Sequence, residues 1–299
     1  MNKLGDRFFL ILTLFATLIV LAMLGIIVGN IAYHGTARLS WQFITAAPEN
    51  GMTAGGIFPA IYGTVSLVLL MSLAAVPFGV LVAIYFAEYA RPESRLYRWT
   101  RMAVNNLAGV PSIVFGLFGL GFFIQSLGRT IDQAFYPGRL LYGQPSILWA
   151  AMTMAVLTLP VVIITVEETL RSVPREYREA SLALGATRFQ TVFRVVLPQA
   201  WSGVMTGSIL AISRGAGEVA PVLFTGAAYF LPRLPAHPAD QFMHLGYHIW
   251  VLTTQSTNVE ETKPLLYSTV FVLLVLTFLL NITAILIRNR LRRGGTDRQ

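Results

Sequence analysis

The chain has 299 residues, 55% of them hydrophobic and only 12% charged, with a mean hydropathy of +0.63 and a formal net charge of +8. That is far more apolar than a soluble domain of this length. Cysteine is absent, which excludes disulfides and thiolate metal sites.

The charge that remains is clustered and leaves long neutral windows. Phe8–Gly29, Ile57–Ala87, Ala103–Leu127, Ser146–Val166 and Leu265–Ile287 contain no Asp, Glu, Lys or Arg. Each reaches the roughly 20 residues a helix needs to cross a hydrocarbon core. A sixth window, Gln199–Leu231, is interrupted only by Arg214 and Glu218 and reads as one span with an ion pair inside it. The expected fold is therefore an all-α membrane protein with six transmembrane helices. Lys3 and Arg7 precede the first window, but it is longer than a signal-peptide core and no A-x-A-like site follows, so it reads as a signal anchor and first span.

Six spans sort the connections onto two faces. One face holds sixteen of the 22 Lys and Arg residues, in the N-terminus, the second and fourth connections and the tail; the other holds five, and Arg214 lies within a span. This asymmetry places both termini in the cytoplasm. The basic charge thus orients the protein among membrane lipid, and no nucleic acid partner is expected.

In chain order, the first outer segment (about 30–57) carries Trp41 and Phe43, suited to the headgroup level, then turns through Gly55-Gly56-Ile57-Phe58-Pro59 into the second span. Pro77 in that span and Pro111 in the third should kink or open their helices. Gly109, Gly116, Gly119 and Gly121 suit close helix packing. The second outer connection (about 232–264) begins with Pro232, Pro235 and Pro238 and includes His244 and His248. The two histidines would share a helix face, but Leu245 breaks an H-E-x-x-H motif, so they are expected as surface histidines at a wet interface with no metal role. No cofactor is expected on this chain.

The fourth connection, 171–198, is patterned as helix, glycine, helix. Pro174 suits a first helical turn with Ser172 as cap. Tyr177, Ala180, Ser181 and Leu184 fall on one face, and Gly185 can take the left-handed conformation that ends a helix. Thr187 and Gln190 fit a capping box opening a second helix. There Phe189, Val192, Phe193 and Val196 make an apolar stripe, and Pro198 marks its end or a bend into the fifth span. In that span Arg214 and Glu218 lie four apart near mid-membrane, flanked by Gly215 and Gly217, which weaken the helix. An arginine there costs roughly 2.5–3.5 kcal/mol on insertion scales and demands a partner or water. Its planar fork suits a tetrahedral oxyanion, with Glu218 holding it between visits; the alternative is a permanent ion pair that locks helices together. The lysines are Lys3 and Lys263, neither preceded by glycine, so no Walker A motif exists in this sequence.

Glu179-Ala180-Ser181, Gly185 and Val195-Val196-Leu197-Pro198 resemble, in type and spacing, the EAA loop of ABC importer permeases. Residues 55–64 (GGIFPAIYGT), 108–116 (AGVPSIVFG), 213–218 (SRGAGE) and 220–226 (APVLFTG) are similar to the PstA-type permease family of phosphate ABC importers, over roughly residues 50–290. Val195 stands where isoleucine is usual, and Gly215-Ala216 where alanine and a larger apolar residue are more frequent. The resemblance implies a type I ABC importer permease architecture in a bacterial inner membrane. It divides the chain into an N-terminal tail, helix and outer segment (1–57), a permease core (58–290) and a basic tail (291–299). Glu179, Ala180, Ser181, Gly185, Leu197 and Pro198 would couple to an ATP-binding subunit dimer, with Glu179 giving a charge-assisted hold. Ser213, Arg214 and Glu218 would border the solute path. A homologous second permease and an external phosphate-binding protein would complete the assembly, with inorganic phosphate as solute. Sulfate or molybdate import is the alternative within the class. A proton-coupled secondary anion transporter is the alternative outside it, though the acidic or histidine relays and inverted repeats it needs are missing apart from Glu218.

Overall fold

The computed structural model describes residues 3–49, 54–256 and 259–296; Arg298 of the basic tail lies outside them. Among the described residues six helical segments are long and apolar enough to cross a membrane: Phe8–Gly35, Phe58–Tyr89, Ser112–Phe135, Ile147–Ser172, Arg188–Gly217 and Thr262–Arg290. Two spans start well away from the expected windows. The third segment begins nine residues later than Ala103, because Gly109-Val110-Pro111 breaks the helix and assigns Arg95–Ala108 to a separate element. The fifth begins earlier, at Arg188 inside the fourth connection, and its helix stops at Gly217.

Helix α1 (Lys3–Gly35) is peripheral. Its apolar side chains from Phe8 onward face outward, as expected of a helix immersed in lipid, and it leans on α13 (Val259–Thr296), where His34 and Tyr267 rings lie 5.1 Å apart. A short α2 (Trp41–Thr45) is capped by Ser40, whose side chain accepts from the Phe43 N–H at 3.1 Å. That turn splits the two aromatics of the outer segment. Trp41 is 81% exposed, but Phe43 is buried against Ile57, Ala60 and Met243 rather than lying at the headgroups. Strands β1 (Pro48–Glu49) and β2 (Ala54–Gly55) form one antiparallel rung, with Gly55 at φ +84° turning the chain into α3 (Phe58–Ile84).

Helix α3 contains Pro77 and winds into a π-helical turn, Tyr85–Tyr89. Then come α4 (Arg95–Ala108), α5 (Ser112–Phe118) with a π-helical continuation through Gly128, and α6 (Arg129–Phe135). Asp132 on α6 is buried and accepts the backbone N–H groups of Leu141 (3.0 Å), Tyr142 (2.9 Å) and Gly143 (2.6 Å), which satisfies its charge and pins the outer loop.

Helix α7 (Ile147–Ser172) is the centre of the bundle, packed along α3 on one side and α10 (Leu197–Gly217) on the other. Close approach is set by small residues. Gly79 of α3 meets Val162, and Gly203 of α10 meets Thr169; a Cβ at either would collide with those side chains. Between α7 and α10 lie α8 (Arg175–Ala183) and α9 (Arg188–Thr191), the latter continued by a π-helical turn, Val192–Val196. After α10 come α11 (Ala220–Thr225), α12 (Leu245–Thr254) and α13. The core is layered along the bundle: Val162, Val166, Leu170, Val192, Val196 and Ala200 at the loop end, then Leu67, Met71, Met154 and Ala216, then Phe43, Ile57, Leu245 and Leu252.

Candidate functional site

The loop between α7 and α10 has the expected helix–glycine–helix form, with one changed cap. Ser172 belongs to α7 and its hydroxyl donates to the Thr169 carbonyl at 2.7 Å, so it does not cap α8; Pro174 occupies the cap position without a side-chain acceptor. Gly185 adopts φ +86°, the left-handed region, and ends the first arm. Thr187 and Gln190 form the reciprocal capping box of the second, at 3.2 and 2.9 Å. The arms are clasped by the Ser181 and Thr191 hydroxyls, 2.9 Å apart. Pro198 does not end the helix. It stands in the first turn of α10, just after the π-helical turn, and the rod runs on from Arg188 to Gly217. The apolar stripe divides accordingly: Val192 and Val196 enter the core, while Phe189 and Phe193 stay exposed with rings 4.4 Å apart.

The outward surface of the loop is apolar at its tip. Leu184 is 89% exposed, and Tyr177 and Leu182 are also exposed beside Phe189. Glu179 and Ala180 are exposed, Pro198 too, and Leu197 is half-buried. Glu179 makes no ion pair among the described residues and borders a cleft with Glu88, Arg171, Arg175 and Arg178.

Two ion networks that no motif announced brace this end of the bundle, and the first of them holds the loop. Arg178 of α8 grips Glu88, on the π-helical turn after α3, through Nε at 3.2 Å and Nη2 at 2.7 Å. Its remaining donors reach the carbonyls of Leu170 and Val173, both at 2.7 Å, at the end of α7. Glu167 of α7, 1% exposed, accepts from Arg101 of α4 and from Arg171 Nε at 2.9 Å. Arg171 Nη2 then reaches the Phe86 carbonyl (3.2 Å) and the Tyr97 hydroxyl (3.3 Å). Sequence could supply the basic residues but not their partners, since Arg178 and Glu88 are 90 positions apart.

The window Gln199–Leu231, expected as one span, is not one helix. Helix α10 ends at Gly217; Glu218 is extended (φ −80°, ψ 133°), and α11 restarts at Ala220 with Pro221 in its first turn. The ion pair therefore bridges a helix end and the break after it, rather than lying on one helical face. Arg214 Nε and Glu218 Oε1 are 3.7 Å apart, beyond hydrogen-bond reach, with side chains 42% and 22% exposed. The break sits mid-bundle: Gly215 packs on Met71 and near Met154, whereas Gly226 meets the Ser146 backbone at the start of α7. A Cβ at Gly215 would meet only the flexible end of the Met71 side chain, which would have to move aside. The Ser213 hydroxyl lies between the Ile209 carbonyl (2.9 Å) and the Asn281 side chain of α13, so it ties the fifth helix to the sixth.

His244 and His248 are not surface residues. They are 0% and 2% exposed under α12, and His248 has no hydrogen-bond partner on either ring nitrogen among the described residues. Burial pushes both imidazoles down to about 4. Leu245 and Val251 on the same helix pull this face into the outer core layer, which a two-residue histidine pattern does not reveal.

Residues 75–293 match the family described as the binding-protein-dependent transport system inner membrane component. The chain belongs to that family. It is thus a multi-pass inner-membrane transport component and not an enzyme. It is 34% identical over 245 residues to the probable ABC transporter permease protein YqgI of Bacillus subtilis (77% of this chain, 78% of that one). It is 35% identical over 237 residues to the phosphate transport system permease protein PstA 1 of Mycobacterium tuberculosis (79% and 71%). It is 30% identical over 258 residues to the probable phosphate transport system permease protein PstA of Methanocaldococcus jannaschii (86% and 84%). The fold is shared with an inward-facing MetNI methionine ABC transporter (20% identity, TM-score 0.59, 78% and 94% covered). It is also shared with a bacterial ABC transporter that imports alginate (15%, 0.66, 97% and 99%). These neighbours bear out the type I importer permease architecture expected from the sequence.

Proposed function

We propose that the chain is the membrane-spanning permease subunit of an ATP-driven phosphate importer, forming half of the pathway with a homologous second permease. An external phosphate-binding protein delivers the solute, and a separate ATP-binding dimer docks on the 171–198 loop with both termini on its side of the membrane. The observation that carries this reading is the extended similarity to PstA permeases, 30–35% identity over most of the chain, joined to an exposed guanidinium at a break in the fifth crossing.

The chemistry follows from that break. A helix that ends mid-membrane leaves carbonyls of its last turn without intrahelical partners, and such backbone is tolerated in lipid only where protein or water covers it. Arg214 is half-exposed and loosely held by Glu218, so its fork is free to turn toward an oxyanion. Glu218 keeps the charge compensated when no anion is present. Leu184, Phe189, Glu179 and Ala180 on the loop face away from the bundle, where an ATPase groove would receive them. The division into a core of 58–290 and flanking 1–57 and 291–299 belongs to the same proposal.

Uptake of labelled phosphate by cells carrying this chain with its partners tests the reading. Phosphate should compete and sulfate or molybdate should not. Arg214→Gln should lower uptake at least tenfold with the protein still in the membrane, and Arg214→Lys should fall between, because it keeps the charge but not the fork. Normal uptake by both variants defeats the role of Arg214; competition by sulfate or molybdate defeats phosphate as the solute.

A further inference from the structure

Helix α4 divides its circumference into three faces, and only one is used by the protein. Tyr97 and Arg101 face inward: the Tyr97 ring meets Phe86 edge-on at 5.5 Å, and Arg101 grips Glu167. A second face carries Leu96 (62% exposed) and Trp99 (69%), followed one turn on by Ala103. A third carries Arg95 and Arg98, with Arg91 just before the helix. None of these three arginines has a carboxylate within ion-pair distance among the described residues, and the nearby Glu93 still leaves the segment positive.

The level of this helix is fixed by its contacts. Tyr97 meets Arg171 and Arg101 meets Glu167, so four steps forward on α4 match four steps back on α7. Its first turns therefore lie beside the last turns of a membrane-crossing helix, and Gly109-Val110-Pro111 leads from its end into the next crossing. An apolar strip with a tryptophan, beside unpaired arginines at a membrane boundary, has the chemistry of a phospholipid interface.

We propose that α4 is a docking surface for anionic phospholipid headgroups of the cytoplasmic leaflet. Trp99 and Leu96 sit among the glycerol and upper acyl groups, and Arg95 and Arg98 bind phosphates. The lipid is thereby held against the helix that bears the Arg101–Glu167 pair, next to the anchored coupling loop. The assignment to the cytoplasmic leaflet rests on the proposed orientation; the lipid contact itself does not.

The full chain in nanodiscs of phosphatidylcholine doped with phosphatidylglycerol tests this, with retained lipid quantified by mass spectrometry. The wild type should enrich phosphatidylglycerol, with enrichment falling as salt rises. Each of Arg95→Gln and Arg98→Gln should weaken it about fivefold. The lysine pair, Arg95→Lys with Arg98→Lys, should keep most of it, which separates charge from folding. Brominated lipid should quench a fluorescence component that disappears in Trp99→Phe. Unchanged enrichment in the double glutamine variant overturns the proposal. So does a Trp99 that lipid does not quench but that other transporter subunits shield, since this face would then belong to a protein partner. Separately, a thiol at Glu93→Cys in this cysteine-free chain should resist impermeant maleimide added outside intact cells. Labelling from outside would overturn the orientation and leave the lipid result to stand or fall by itself.

Discussion

Replacing Arg178 by alanine removes the clamp that fixes the 171–198 loop to the bundle, and its cost can be worked from the contacts. The guanidinium makes a two-point contact with Glu88 and caps two carbonyls at the end of α7, with side chains 19% and 10% exposed for the arginine and glutamate. Breaking a buried pair from one side costs about 3–5 kcal/mol because the partner charge is stranded. The residual exposure lets water reach Glu88 and the freed carbonyls, which brings the figure to about 2–4 kcal/mol. The loss is local, since α8 buries none of its own residues. It should therefore appear as opening of α8 rather than melting of α7, raising exchange of α8 amides roughly 30- to 1,000-fold at 1.36 kcal/mol per decade. Hydrogen exchange read by mass spectrometry measures this directly. Arg178→Lys should recover part of the protection, and a double-mutant cycle with Glu88→Gln should show coupling of about 1–3 kcal/mol. Unchanged α8 exchange in Arg178→Ala, or a cycle with no coupling, would refute the clamp.

Glu167→Leu should destabilise the chain by about 1–2 kcal/mol in a detergent melt, since Arg101 and Arg171 lose their shared acceptor but, at 33% and 49% exposure, still reach water; an unshifted midpoint argues against the network. Gly185→Val should cost about 1–2 kcal/mol, because a branched residue resists the left-handed backbone although the space around it is open, and transport should drop with it. Gly121→Val, also in open space but at no positive φ, is the comparison expected to be silent. Stability should fall as pH drops from about 6.5 toward 4. His244 and His248 titrate near 4 when folded and near 6.5 when unfolded, so the unfolded chain binds more protons across that window. Each contributes on the order of 3 kcal/mol that is present above the unfolded value and lost by the folded one. His248→Phe should flatten the profile, and a wild-type midpoint constant over that range would exclude the effect.

Local chemistry is legible in the sequence. The neutral windows follow from bilayer thickness, the Thr187–Gln190 box and the Gly185 turn from rules acting within four residues, and the weakness at Gly215 and Gly217 from backbone freedom. What escaped depended on pairing across the sequence. Glu88 and Glu167 look like ordinary boundary charges until folding sets them against Arg178 and Arg101. Asp132 reads as a polar residue at a span end until three N–H groups of the next loop point at it. Burial of His244, His248 and Phe43 likewise depends on α12 and α2 folding back over the outer layer, which no periodicity in a ten-residue stretch encodes. The helix end at Gly217 was missed for another reason: a hydropathy window averages over a break that only the backbone of Glu218 reveals.

The geometry also explains why the loop and the break are mechanically joined. Two π-helical turns serve the 171–198 loop: Tyr85–Tyr89, which presents Glu88 to it, and Val192–Val196, which lies within it and opens the fifth crossing. A π-turn is wider than an α-turn and is a frequent seat of functional deformation. Here Pro198 follows the second of them, and because proline lacks an N–H it cannot complete the α-helical ladder behind it. Beyond that soft turn α10 is regular to Gly217, held to α7 at Gly203 and Gly207 and to α13 through Ser213–Asn281 and Arg288–Thr206. Force applied at Leu184 or Phe189 therefore meets a compliant joint first and a braced rod second, and the last turn of that rod carries Arg214.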